Sequence, residues 1–160
     1  DSITAHIKVK DIVLYYIPNT FTPDGNALND TFKPVFEAGF VTYSNDMKSK
    51  MLDVPSVTLD SHGAVSEETV LAMAKGALKK SNADYTIAVS GIAGPSGGSK
   101  EKPVGSVWIA WGDKQHIQAK YFCIGVERKH FQQIVAARSL DLVRRLLINS
   151  SDIPNYSHRN

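Results

Sequence analysis

The chain has 160 residues, 42% of them hydrophobic and 21% charged, a balance that suits one soluble globular domain with a sizeable core. A net charge of +2, with no Lys/Arg block, argues against a nucleic-acid-binding role. The single cysteine, Cys123, cannot close an internal disulfide, and no apolar run reaches membrane-spanning length, so the expected compartment is the reducing cytoplasm.

The start lacks a signal-peptide layout, and because the chain begins at Asp1 we expect further sequence upstream. Ile12 to Ile17 reads as a strand, followed by a loop crowded with Pro18, Pro23, Asp24, Gly25, Asn26, Asn29 and Asp30. Loops of this kind are ordinarily turns. Asp24, Asn26 and Asp30 can also offer oxygens to calcium, although their spacing is not that of an EF-hand.

Phe36 to Thr42 is short and apolar and predicts a strand. Ser44 is placed to cap a helix from Asn45 to about Leu52, and Asp53-Val54-Pro55 ends it, because the residue before proline is pushed out of helical geometry. His62-Gly63 reads as a turn ahead of the next helix. No carboxylate and nucleophile accompany His62 at a spacing that suggests catalysis. Ser66 caps that helix, with Glu67 and Glu68 in its first turn. Val70, Leu71, Met73, Ala74, Ala77 and Leu78 then form an apolar face up to Lys80. Tyr85 to Val89, Ser106 to Trp111 and Ile117 to Ile124 predict three strands, with a turn signal at Gly112-Asp113. A last helix is expected from about Arg128 to Asn149, burying Phe131, Ile134, Val135, Leu142, Val143, Leu146 and Leu147. The polar tail from Asn149 to Asn160 is expected to be disordered.

The segment that carries chemistry lies between the first two of those strands. It runs Ser90-Gly91-Ile92-Ala93-Gly94-Pro95-Ser96-Gly97-Gly98, then Glu101-Lys102-Pro103-Val104-Gly105. A buried strand emptying into a glycine-rich loop brings bare backbone to a sheet edge, where N–H groups can face an anion or a carbonyl oxygen. The loop is neither G-x-G-x-x-G nor a P-loop, so a dinucleotide or triphosphate reading is weak. His6, His116, His130 and His158 show no metal-ligand pattern with Cys123, so no metal is expected; Cys123 reads as a buried core thiol. Taken alone, Tyr43 and Lys48 read as surface residues at a helix start, Ser90 as a strand-end hydroxyl and Arg128 as a cap on the preceding strand.

From about Phe36 to Leu147 the chain resembles the C-terminal domain of the CinA family, the nicotinamide-nucleotide amidohydrolases. The resemblance rests on Gly39-Phe40-Val41-Thr42-Tyr43-Ser44-Asn45, Lys48, His62-Gly63-Ala64-Val65-Ser66-Glu67, the glycine loop, and Glu101-Lys102-Pro103-Val104-Gly105. It implies hydrolysis of nicotinamide mononucleotide to nicotinate mononucleotide and ammonia without metal or redox cofactor. It further implies that Tyr43 and Lys48 match the family's activating pair and Ser90 a polar residue at the head of the loop. Gly91 and Gly94 would line the site, and Arg128 would pair with the nucleotide phosphate through its bidentate fork. The family's second arginine, four residues later, is Gln132 here, so Lys129 is the alternative clamp. A lysine acting as base needs its pKa lowered by burial or a neighbouring cation.

Residues 16 to 36 resemble something else, the opening of the gliding-motility-associated C-terminal domain, a sorting tail of exported surface proteins. The stretches are Tyr16-Ile17-Pro18-Asn19-Thr20-Phe21-Thr22-Pro23-Asp24-Gly25 and Leu28-Asn29-Asp30-Thr31-Phe32-Lys33-Pro34-Val35-Phe36. The two resemblances meet near Phe36, which suggests a chimera. The CinA resemblance implies a segment A-E-S-C-T-G-G upstream of Gly39 whose serine is the nucleophile; these 160 residues contain no such segment.

The expected fold is therefore α/β, a mixed sheet flanked by helices, CinA C-terminal-like but without the family's first strand and nucleophile helix. The expected division is a replaced segment over 1–36, the CinA-like domain over 37–149 and a polar tail over 150–160. The expected function is an impaired nicotinamide-mononucleotide amidohydrolase. Its rivals are an inactive chimeric or surface-sorting fragment and a non-catalytic nucleotide-binding remnant. The missing elements would leave an open sheet edge, so a homo-oligomer is expected, with neither nucleic acid nor membrane as a partner.

Overall fold

The computed structural model describes residues 37–150, 152–154 and 156. The strand expected over Ile12 to Ile17, the loop holding Asp24, Asn26 and Asp30, and the junction at Phe36 lie outside the described residues.

The cap residues behave as their chemistry demands. Ser44 Oγ accepts from the Met47 amide at 3.1 Å and opens α1, Asn45–Leu52. Asp53 takes up a left-handed conformation (φ 55°) at the end of α1, where Lys79 and Lys80 meet its carboxylate at 3.1 and 3.0 Å. Pro55 then sets its fixed φ at the entry to a short helix that sequence reading did not foresee, α2, Ser56–His62. With no side-chain cap and only Leu59 buried, α2 has almost no sequence signature. Gly63 ends it at φ 77°, as the turn at His62-Gly63 requires. Ser66 Oγ accepts from the Thr69 amide at 3.2 Å and opens α3, Glu67–Ser81.

Three strands follow: β1, Tyr85–Gly91; β2, Ser106–Asp113; and β3, Ile117–Cys123. They form one sheet in the order β1-β2-β3, with both pairings antiparallel. The turn expected at Gly112-Asp113 is built by the aspartate: Asp113 Oδ1 accepts from the amides of Gln115 and His116, each at 2.8 Å. The last helix is α4, Arg128–Leu147.

The two faces of the sheet bury two different clusters. Ala88 and Ala110 point toward α1 and α3, meeting Leu52, Val54, Val70, Met73 and Ala74. Val107, Ile109, Trp111 and Phe122 point toward α4, meeting Phe131, Val135, Leu142 and Val143. This alternation along β2 is the period of a strand covered on both sides.

Four expectations need correcting. Residues 37–43 form no strand: no described strand runs beside them, and Phe40 and Thr42 are held by side-chain burial rather than by a ladder. Cys123 is exposed, because Phe122 beside it turns inward and a strand's alternation turns Cys123 out. Leu147 is 39% exposed, although Val143 and Leu146 in the same last turn of α4 still pack on the buried cluster. Nor do the described tail residues hang free. Ile153 and Tyr156 pack on the α4-side core, with the Tyr156 ring 5.8 Å from that of Phe122.

Candidate active site

One end of the sheet gathers most of the residues singled out from sequence. Ser90 and Gly91 end β1, Ser106 begins β2, and Arg128 begins α4 just after β3. The intervening loop is tied down by backbone bonds: the Ile92 amide donates to the Ser106 carbonyl at 2.8 Å, and the Gly105 amide to the Ile92 carbonyl at 2.7 Å. Gly91 and Gly94 are two of the loop positions that require glycine. At Gly91 a Cβ would lie 2.8 Å from the Ser106 carbonyl oxygen and 2.9 Å from the Val107 side chain. Gly94 has φ +74°, and a Cβ there would lie 2.5 Å from Val104. The Gly94-Pro95 peptide is cis.

Arg128 is joined to this loop. Its Nη1 donates to the Gly94 carbonyl at 2.9 Å, so the first residue of α4 braces the loop's midpoint. Ser90 is 4% exposed, and its Oγ donates to the Ala64 carbonyl at 2.6 Å. That bond fastens the end of β1 to the His62-Gly63-Ala64 turn. Lys102 adds a second tie, its Nζ donating to the His62 carbonyl at 2.9 Å. Lys102 was visible in sequence only as part of the Glu101-Lys102-Pro103 segment. Gly63 accepts twice, from Ser66 Oγ at 3.1 Å and Thr69 Oγ1 at 2.7 Å. His62 itself is exposed, its Nδ1 3.3 Å from Glu68.

Lys48 behaves unlike a surface lysine. It is 3% exposed, and its Nζ donates to the carbonyls of Thr42 and Tyr43 at 3.1 and 3.3 Å. Burial lowers its pKa below the ordinary lysine value, because neither partner carries a compensating negative charge. A lysine serving as base needs its pKa lowered, and burial shifts Lys48 in that direction. Tyr43, by contrast, holds Lys48 through its carbonyl and is 56% exposed. Lys48 and Tyr43 form one group and Ser90, Gly94 and Arg128 a second; the Ser90 hydroxyl bonds to Ala64, not to Lys48.

Sequence reasoning passed over Thr42. It is fully buried, and among the described residues its Oγ1 is the one buried side-chain polar atom with no hydrogen-bond partner. An unpartnered buried hydroxyl costs about 1–3 kcal/mol unless something else satisfies it. Only its place beside Tyr43 in a quoted segment could have drawn attention to it. No group of three or more His, Cys, Asp or Glu residues among those described is placed to hold a metal. No described helix is long and apolar enough to cross a membrane.

A profile of the CinA C-terminal domain matches residues 32–147, which takes in every residue of both groups. The chain belongs to the CinA C-terminal domain family. A CinA-like protein of Colwellia psychrerythraea is 58% identical over 121 residues, 76% of this chain but 28% of that protein. The nicotinamide-nucleotide amidohydrolase PncC of Escherichia coli K12 is 62% identical over 76 residues, 48% of this chain and 46% of the enzyme. Among solved structures, the competence/damage-inducible protein CihA of Agrobacterium tumefaciens superposes with a TM-score of 0.66 at 43% identity, covering 68% of this chain and 67% of that one. The chain thus spans little more than a quarter of the CinA-like protein and about half of the shorter amidohydrolase. The α/β class expected for a CinA domain is the class observed, with the three described strands paired antiparallel.

Proposed function

We propose that this CinA domain binds a nicotinamide mononucleotide at the glycine-loop end of the sheet and that its amide-hydrolysing chemistry is impaired. The observation that carries the reading is Lys48, a buried amine with a lowered pKa and only carbonyl partners, in a chain whose relatives include nicotinamide-nucleotide amidohydrolases. Hydrolysing a carboxamide needs an attacking hydroxyl, a base to accept its proton, and donors for the developing oxyanion. Lys48 answers the second need, with Tyr43 beside it as the other half of the activating pair. Backbone N–H groups of the loop around Gly91 and Gly94 answer the third. Arg128, already anchored on Gly94, supplies positive charge for a phosphate.

The first need is unmet. The A-E-S-C-T-G-G segment is absent from these residues, and the Ser90 hydroxyl is engaged by Ala64. A site without its nucleophile retains binding and oxyanion stabilisation but loses most of its rate. Neither a metal nor a redox cofactor enters this scheme, and the cytoplasm is the compartment that fits its substrate. Calorimetric titration with nicotinamide mononucleotide tests the binding half. The expected result is saturable heat, weakened roughly tenfold or more in Arg128→Ala. Absence of heat from a folded sample would contradict it.

A further inference from the structure

The strand register extends the loop end of the sheet in a direction that the proposed site does not use. Ser90 pairs with Trp108, and Trp108 pairs with Tyr121, so the three form one cross-strand row. All three side chains lie on the α3 face. Ser90 Oγ reaches the turn before α3, Trp108 packs against the Ala88 and Ala110 cluster, and Tyr121 meets the Trp108 ring. Neighbours along such a row sit about 5 Å apart. The two rings have centroids 5.6 Å apart and planes tilted by 56°, so they are in contact but not coplanar. Tyr121 is 41% exposed, while its hydroxyl is fixed by Ser106 Oγ at 3.0 Å. An exposed ring held at its far end in this way is a preset surface for a flat ligand.

We infer that the exposed face of Tyr121, with Trp108 in contact beside it, is a shelf for the pyridinium ring of the bound nucleotide, making Tyr121 a specificity-determining residue. This rests on the nucleotide-binding reading above. A pyridinium is flat and cationic, and the faces of indole and phenol rings are electron-rich, so the two attract where a neutral ring would gain only contact area. The row places the shelf one strand from Ser90, with Arg128 at the same end of the sheet for the phosphate.

The test uses the protein's two tryptophans. Trp111 is 1% exposed and faces the opposite cluster, so a ligand on the shelf meets Trp108 alone. The chain is titrated with nicotinamide mononucleotide and, separately, with ribose 5-phosphate, following heat and tryptophan emission together. The expected result is quenching by the pyridinium nucleotide that saturates with the heat, and binding of ribose 5-phosphate without quenching. Trp108→Phe removes the quenching. Tyr121→Ala weakens the pyridinium nucleotide about fivefold or more and ribose 5-phosphate less than twofold, whereas Tyr121→Phe, which keeps the ring but loses its tie to Ser106, weakens the pyridinium nucleotide less than Tyr121→Ala does. Heat without quenching, or equal weakening of both ligands, overturns the shelf and leaves the nucleotide reading standing. No heat from either ligand overturns both. A change of molecular mass in Tyr121→Ala with nucleotide affinity unaltered would assign the patch to a second copy of the chain and overturn the shelf.

Discussion

The phenolic hydroxyl of Tyr156 donates to Asp141 Oδ2 at 2.7 Å, fastening Tyr156 to α4. The same carboxylate accepts from Arg144 and Arg145, and the Arg138 guanidinium lies 5.1 Å from the ring centroids of both Phe122 and Tyr156. Tyr156 is thereby packed against the core.

This clasp makes stability depend on pH at both extremes. Burial pushes the Asp141 carboxyl up, but hydrogen bonds from Tyr156, Arg145 and Arg144 outweigh it and hold the pKa at about 2. A carboxylate depressed in the folded state stabilises above its unfolded pKa and loses that contribution as pH falls through the folded value. Burial, then the Asp141 hydrogen bond and charge, push Tyr156 up to about 12. A phenol raised in the folded state stabilises below its unfolded pKa near 10 and loses this as pH rises toward 12. Tyr156→Phe is expected to cost on the order of 1–2 kcal/mol at neutral pH by urea unfolding. An unchanged midpoint would show that the clasp contributes nothing.

Burial of Lys48 costs stability where the clasp adds it. Its pKa is lowered in the folded state, so the unfolded chain binds more protons over the window below the ordinary lysine value, and stability rises with pH through that window. Lys48→Met keeps the volume and removes the buried charge. It is expected to lie within about 1 kcal/mol of the parent at neutral pH, with the parent gaining on it toward pH 10. Denaturant midpoints measured at several pH values read this directly; a difference that does not change with pH would contradict the burial argument.

Gly76 sets how closely α1 and α3 approach. A Cβ there would overlap the Leu52 carbonyl, which is backbone and cannot rotate away. In an exposed helix Gly→Ala would gain about 1 kcal/mol, but here the clash decides the sign. Gly76→Ala is expected to lower stability by more than about 2 kcal/mol in thermal unfolding.

The strands and capped helices were legible because local chemistry decides them. Ser44, Ser66 and the Asp53-Val54-Pro55 stop mark helix ends, and the runs around Val89 and Ile109 are covered on both faces. What the sequence withheld depends on contacts between distant residues. Phe36 to Thr42 has the composition of a strand, but a strand needs a neighbour, and none of those described runs beside it. Lys48 reads as solvated until the fold buries it with its amine on the carbonyls of Thr42 and Tyr43. Tyr156 reads as a tail residue until Asp141, fifteen positions earlier, captures its hydroxyl. The row from Ser90 through Trp108 to Tyr121 exists only once the register is known. That these 160 residues contain no A-E-S-C-T-G-G segment was visible at once, because it is a matter of residues and not of folding.

The described sheet has β1 at one edge and β3 at the other. An open edge offers unpaired N–H and C=O groups to another chain, and Tyr85 on β1 is 44% exposed. We expect a homo-oligomer in solution. Light scattering that returns a monodisperse monomer would contradict this.

The most direct measurement is ammonia release from nicotinamide mononucleotide by the purified chain, beside Lys48→Ala. A site that binds the nucleotide but lacks its nucleophile predicts no release above the uncatalysed rate from either protein. Steady release that disappears in Lys48→Ala would contradict the impairment and assign the attack to another hydroxyl, with Ser44 and Ser90 the first to examine.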